Sequence, residues 1–242
     1  MRVESQPAFV LHAQAYRETS LLLEVFTVEH GRVGLIARGV RGARGQPLRA
    51  LLQPLQPLHV GWSGRGELPH LGMTEAAGAA LTPQGDALLA AFYLNELLVR
   101  LLPRNEPQPS LFWRYAECLG ALQSGVDYVW ELRRFERDLL AELGYALVLD
   151  FEVDGITPIL VDAHYRYDPE QGAVRLSSHR GSALSGAALL DLAHDRLPDA
   201  ARLRELRILM RSVLLHHLGG RELRSWQLLS ELASHRVPRT PG

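Results

Sequence analysis

The amino-acid sequence predicts a multidomain α+β protein, on three observations. Five short β-forming runs separated by glycine turns fill residues 1–80. Apolar residues recur at helical spacing through most of the remainder. A stretch punctuated by Gly155, Pro158, Asp168-Pro169 and Gly172 interrupts the helices with short strand candidates. The expected division is 1–80 as a β domain, 81–145 as the first part of a helical domain, 146–180 as an inserted segment and 181–242 as the second helical part.

The strand runs are read in order. Ala8–Tyr16 carries β-formers, and Ser20–Val28 is a short apolar run ending at the turn Glu29-His30-Gly31. Arg32–Ala37 resumes the pattern. Leu51–Trp62 alternates with prolines, which suits an edge or bulged strand, and Glu67–Glu75 is the fifth candidate. Five such strands in about seventy residues predict a small closed barrel, the size of a five-stranded OB-fold. Such barrels commonly bind single-stranded nucleic acid.

The helices follow. Thr82-Pro83 predicts a helix start, with an apolar stripe at Leu88, Leu89, Phe92, Leu97 and Leu101, ending at Pro103. Pro109-Ser110 opens a second helix, to about Gln123. Asp127 caps a third, which ends at Leu143-Gly144. In the insert, Tyr165–Tyr167 and Val174–Leu176 are expected to pair as a small hairpin. Ser185 opens a further helix, Asp199–His217 forms a long one, and the last covers about Ser225–Ser234.

Charge is unevenly distributed. All 26 basic residues other than histidine are arginine, and the net charge is −1. That near-neutrality conceals segments of +2 (1–80), −8 (81–170) and +5 (171–242). A polyanion is therefore expected at the two ends of the chain and disfavoured at its middle. Between His30 and Gly66 there are six arginines (Arg32, Arg38, Arg41, Arg44, Arg49, Arg65) and no Asp or Glu. Three of them form Arg-Gly pairs at three-residue spacing. If extended, that spacing is ~10 Å and lets the guanidinium groups share one side. Rows of bidentate donors suit phosphate oxygens, and the alternative is a solvated surface loop. Phe9 and Trp62 are candidate base-stacking platforms.

On the third helix, Trp130, Arg133, Arg134 and Arg137 are spaced to share a side opposite Leu132, Phe135, Leu139 and Leu143. An apolar plate ringed by arginine suits an acidic peptide; internal pairing of Arg134 with Asp138 is the alternative. Arg202, Arg204, Arg207, Arg211, Arg221 and Arg224 suggest a basic side that offers a secondary nucleic-acid contact.

Catalytic signatures do not assemble. Gly61-Trp62-Ser63-Gly64-Arg65 misplaces the final glycine of a nucleophile elbow. There is no phosphate-binding GK[ST] and no HExxH. The single cysteine, Cys118, excludes a disulfide framework. The chain is expected to be a non-enzyme without a cofactor. It shows no signal peptide and no membrane-length apolar run, so it reads as cytosolic.

Several segments together resemble the bacterial RecO recombination-mediator family. They are AFVLHAQAYRETSLLLEVFTVEHGRV (8–33), ARGVRG (37–42), LLQPLQPL (51–58), GRGEL (64–68), FYLNELLVRLL (92–102), LRRFERDLLAELGY (132–145) and LGGRELRSWQLL (218–229). Their order and spacing carry the likeness over nearly the whole chain. The resemblance implies an N-terminal OB-fold, a helical domain and an insert that often holds a four-cysteine zinc site. Residues 146–180 contain no cysteine, so no zinc is expected. It further implies binding to single- and double-stranded DNA, annealing of complementary strands, and help in loading RecA onto strands coated by single-strand-binding protein (SSB). The implied partners are RecR and the acidic C-terminal tail of SSB, which the resemblance favours placing near Arg133 and Arg134. Competing functions are a nuclease, a general OB-fold RNA- or single-strand-binding protein, and an adaptor that touches no nucleic acid.

Overall fold

The computed structural model describes residues 2–64, 66–125, 127–178 and 183–228. These form two compact units, one built from residues up to 125 together with 223–228, the other from 127 to 222. Packing thus regroups the four segments read from the sequence, because the first two helices of the chain join the β-strands.

In the first unit, β1 (Arg2–Tyr16), β2 (Ser20–Thr27), β3 (Gly31–Ala37), β4 (Pro57–Ser63) and β5 (His70–Ala76) follow the order β1-β2-β3-β5-β4, and β4 returns to pair with β1. The pairings β1–β2, β2–β3, β4–β5 and β1–β4 are antiparallel ladders. β3 and β5 meet in one parallel pair, Ile36 with His70. The expectation of a regular five-stranded OB-fold barrel is corrected on this point. The strands make a mixed sheet whose β3–β5 seam is a single pair rather than a ladder.

Residues 51–62 also differ from expectation. Gln46–Leu51 is a short helix, α1, and only Pro57–Ser63 is strand. Leu52 is fully buried, and Leu48 and Leu51 pack on the sheet core, so apolar anchoring wins over the strand-like alternation.

The run Ser20–Thr27 is apolar on both faces because both are covered. Leu21, Leu23 and Val25 join Ala8, Val10, Leu35, Leu58 and Val60 in the sheet core. On the other face, Phe9 and Phe26 meet Phe112 and Tyr115 at ring separations of 5.3–6.2 Å. Those rings come from α3 (Pro109–Ser124), which follows α2 (Asp86–Leu101). On α2 the buried positions are Ala87, Ala90, Ala91, Tyr93, Leu94, Asn95, Leu97 and Leu98, whereas Phe92 is exposed. A short helical turn at 224–228 joins this unit, where Glu96 accepts from the Arg224 and Ser225 N–H groups.

The second unit contains α4 (Tyr128–Glu142), β6 (His164–Asp168), β7 (Gly172–Arg175), β8 (Leu184–Ser185), α5 (Gly186–Ala193) and α6 (Ala200–His217). The Ser185 hydroxyl caps α5 by accepting from Ala188 N–H, and Asp199 caps α6. The expected hairpin forms, but β8 adds a third strand in the order β7-β6-β8, which corrects the two-stranded reading.

Zinc-thiolate chemistry does not fit the insert, because residues 146–180 contain no cysteine. Among the described residues, no cluster of three His, Cys, Asp or Glu could hold a metal. Hydrogen bonds and ion pairs hold this segment instead. The Asp154 carboxylate accepts from the N–H groups of Ile156 and Thr157 and from the Thr157 hydroxyl. Arg175 pairs with Glu152, and Tyr165 Oη accepts from Leu160 N–H.

Candidate nucleic-acid interface

The Arg-Gly segment is wound rather than extended. Gly42 N–H donates to Gly39 O (3.3 Å) and Gly45 N–H to Gly42 O (3.0 Å), so the three-residue sequence period is also the hydrogen-bond period. A 3₁₀ turn at Ala43–Gly45 leads directly into α1. Val40 is buried in the sheet core and pins the loop. A Cβ at Gly45 would lie 2.3 Å from Gly39 O and 2.4 Å from Val40 Cα, so only glycine permits this fold-back.

From this wound loop Arg38, Arg41, Arg44 and Arg49 are exposed. Arg41 is tied to the β1–β2 turn: its N–H donates to Thr19 O (2.9 Å) and its Nη1 to Arg17 O (3.0 Å). Arg17 has a φ of +52°, and its guanidinium lies 5.2 Å from the Tyr16 ring centroid. It is exposed and joins the group, although the sequence reading missed it. The hairpin placed it at a turn, but only the β2–β3 pairing brings that turn to the loop. Arg38 Nη2 lies 2.6 Å from His70 Nε2, and because a guanidinium only donates, His70 accepts. Among the described residues, Arg17, Arg38, Arg41, Arg44 and Arg49 make no ion pair with a carboxylate. Five exposed guanidinium groups in this state offer positive charge that a polyanion can neutralise.

Arg32 does not belong to the patch. Its Nη1 pairs with Glu24 at 3.0 Å, its Nε donates to Leu102 O at 3.0 Å, and Arg104 pairs with the same Glu24. Burial lowers its pKa, against the opposing pull of Glu24. The predicted phosphate contact is therefore corrected to a half-buried strut. Arg65 lies outside the described residues.

Phe9 and Trp62 are corrected as well. Phe9 is 5% exposed under α3, and Trp62 is 4% exposed in the sheet core. Phe9 offers no ring face to solvent, and Trp62 borders only a cavity that it lines with His30. The sequence could not reveal that the outer face of the sheet is covered by a helix from the same unit.

On α4 the expected plate is filled by internal partners. Trp130 is buried, and buried Arg133 pairs with Glu136 at 2.6 Å. Arg134 Nε and Arg137 Nη1 converge on one Asp195 oxygen, at 2.8 and 2.9 Å. The hydrogen bond that Arg134 donates to Asp195 holds Arg134 above its usual pKa. Burial pushes Asp195 upward, but its bonds from Arg134 and Arg137 outweigh this and keep it below the carboxylate range. Arg134 pairs with Glu131 rather than Asp138.

On α6, Arg204, Arg207 and Arg211 are exposed at helical spacing, and Arg211 pairs with Glu222 at 3.0 Å. Arg202 is taken up by Asp191 and Asp199. Arg221 and Arg224 are exposed beyond the helix.

A mixed β-sheet carrying an exposed, carboxylate-free arginine loop is of a class that suits a polyanion. The comparisons narrow that class. Residues 1–78 match the family described as recombination protein O N terminal, and residues 83–227 match recombination protein O C terminal. The chain is 52% identical to DNA repair protein RecO of Xanthomonas euvesicatoria over 241 residues, covering 98% of this chain and 100% of the relative. It is also 52% identical to DNA repair protein RecO of Stenotrophomonas maltophilia over 240 residues, with the same coverage. The chain belongs to the RecO family. Its role is that of a DNA-repair and recombination mediator, and members of this family are not catalysts.

Proposed function

We propose that this chain mediates recombination by holding DNA through its sugar-phosphate backbone, with Arg17, Arg38, Arg41, Arg44 and Arg49 as the primary contacts. The observation that carries this reading is the exposure of five guanidinium groups without a carboxylate partner among the described residues. Phosphates that replace their counterions give affinity without reading base edges, in both single and double strands. Strands held this way keep their pairing edges available, which suits annealing. Arg204, Arg207, Arg211 and Arg221 on the second unit, and Arg224 on the first, supply secondary contacts. The work is cytoplasmic, with RecR as partner, in loading RecA onto SSB-coated strands.

The SSB tail would reach Arg134 and Arg137 by competing with Asp195, whose carboxylate already holds the position an acidic peptide would take. Gel-shift and annealing assays on labelled strands across a salt series, with and without the loop arginines, test this function. Annealing that is indifferent to those arginines contradicts it.

A further inference from the structure

The single-pair seam leaves a space in the sheet. β3 and β5 join only at Ile36–His70, and Ile36 N–H also donates to Pro69 O. On one side of that pair the strands part, and a cavity of about 460 Å³ lies between the start of β3, the end of β4 and the loop that follows. Its lining includes His30, Val33, Trp62, Glu67, Pro69 and Asn105. The His30 ring meets Trp62 edge-on at a centroid distance of 5.1 Å. The volume is in the range of small-molecule sites, and its walls combine aromatic rings with a few polar groups.

Two features tie this cavity to the strand path. Pro69 is followed directly by His70, the residue that accepts from Arg38. Asn105 is held in place by the half-buried strut: its N–H donates to Arg32 O at 2.9 Å, and Arg32 in turn holds Leu102 O. Gly31 is required here, because a Cβ would lie 1.8 Å from Glu106 O of the same loop.

Glu67 is the informative residue. It is the first acid after an acid-free run of arginines, and a carboxylate there opposes phosphate. A carboxylate does, however, accept from an exocyclic amino group, the partner that cytosine N4 offers and thymine lacks. Asn105 adds an amide with both a donor and an acceptor. We propose that this cavity receives one unpaired nucleobase bearing an exocyclic amino group, while neighbouring phosphates lie on the arginine loop. This rests on the backbone-binding reading and adds a base-sensitive subsite to it.

The test compares three oligomers of equal length on the full chain at one salt concentration: oligo-dC, oligo-dT and a fully abasic strand. The expected result is oligo-dC binding about tenfold tighter than the other two, the scale of one hydrogen bond to a charged group. Glu67→Gln and, separately, Asn105→Gly should bring the dC-to-dT ratio close to one. Binding of the abasic strand by each variant, with its thermal melt, reports that it is folded. Equal binding of dC and dT by the unaltered protein overturns the proposal alone, as does a preference that survives both substitutions. Failure of all three strands to bind overturns the backbone reading and this proposal with it.

Discussion

Arg41 Nη1 donates to the carbonyl oxygen of Arg17 at 3.0 Å, which fastens the β1–β2 turn to the wound loop after β3. The bond joins residues 24 positions apart and brings two exposed guanidinium groups to one place. It spends one Arg41 donor on a neutral oxygen and leaves its charge uncancelled. A loop organised in this way presents cations without needing the ligand to order them.

The fold-back at Gly45 can be tested without altering charge. Gly45→Ala places a Cβ within 2.4 Å of backbone and forces the loop to open. DNA affinity is expected to fall several-fold at unchanged net charge, because the guanidinium groups no longer share a place. Gel-shift titration alongside Gly120→Ala checks this, since a Cβ at Gly120, on α3, meets nothing within 4 Å.

Arg32 should behave as a structural residue. The side chains of Arg32 and Glu24 are 14% and 11% exposed. Arg32→Ala leaves the Glu24 carboxylate with Arg104 as its remaining cation and is expected to cost about 1–2 kcal/mol of stability. The salt slope of DNA binding should stay as it was. Urea unfolding and a salt titration of the same variant separate these outcomes.

The insert carries an acid-sensitive fastening. The Thr157 hydroxyl, then the Ile156 and Thr157 N–H groups, hold the Asp154 carboxyl at about 2. A depressed folded pKa stabilises above the unfolded value of about 3.9 and loses that stabilisation as pH falls through about 2. Thermal melts between pH 5 and 2 should show this loss. Asp154→Ala should lower stability at pH 5 and flatten the acid limb.

Asp195 should compete with acidic peptides. Asp195→Asn removes the charge held by Arg134 and Arg137 and is expected to raise affinity for the SSB tail peptide by about fivefold, the scale of a solvent-accessible ion pair. Fluorescence anisotropy with a labelled tail reads this directly. Weaker binding by the variant would place the tail elsewhere.

Much of the fold was legible from local pattern. The helical periods of α4 and α6, the caps at Ser185 and Asp199, and the pairing of β6 with β7 all follow from neighbours in sequence. What failed depended on partners far along the chain. Phe9 reads as an exposed ring only if the sheet has a wet face, and α3 covers it. Arg32 and Arg38 look alike in sequence, but one lies within a strand and the other just beyond its end. Glu24 pairs with Gly34 across β2–β3, which sets Arg32 diagonally beside it. That register would have exposed the ion pair. The arginine loop was found by composition, but its winding depends on Val40 reaching the core.

The most direct measurement is the dependence of single-strand affinity on salt concentration for the full chain and for Arg41→Ala/Arg44→Ala. With the loop arginines as phosphate contacts, the logarithmic slope should fall by roughly two units in the double variant, about one per lost contact. A slope identical to that of the unaltered protein would contradict the account.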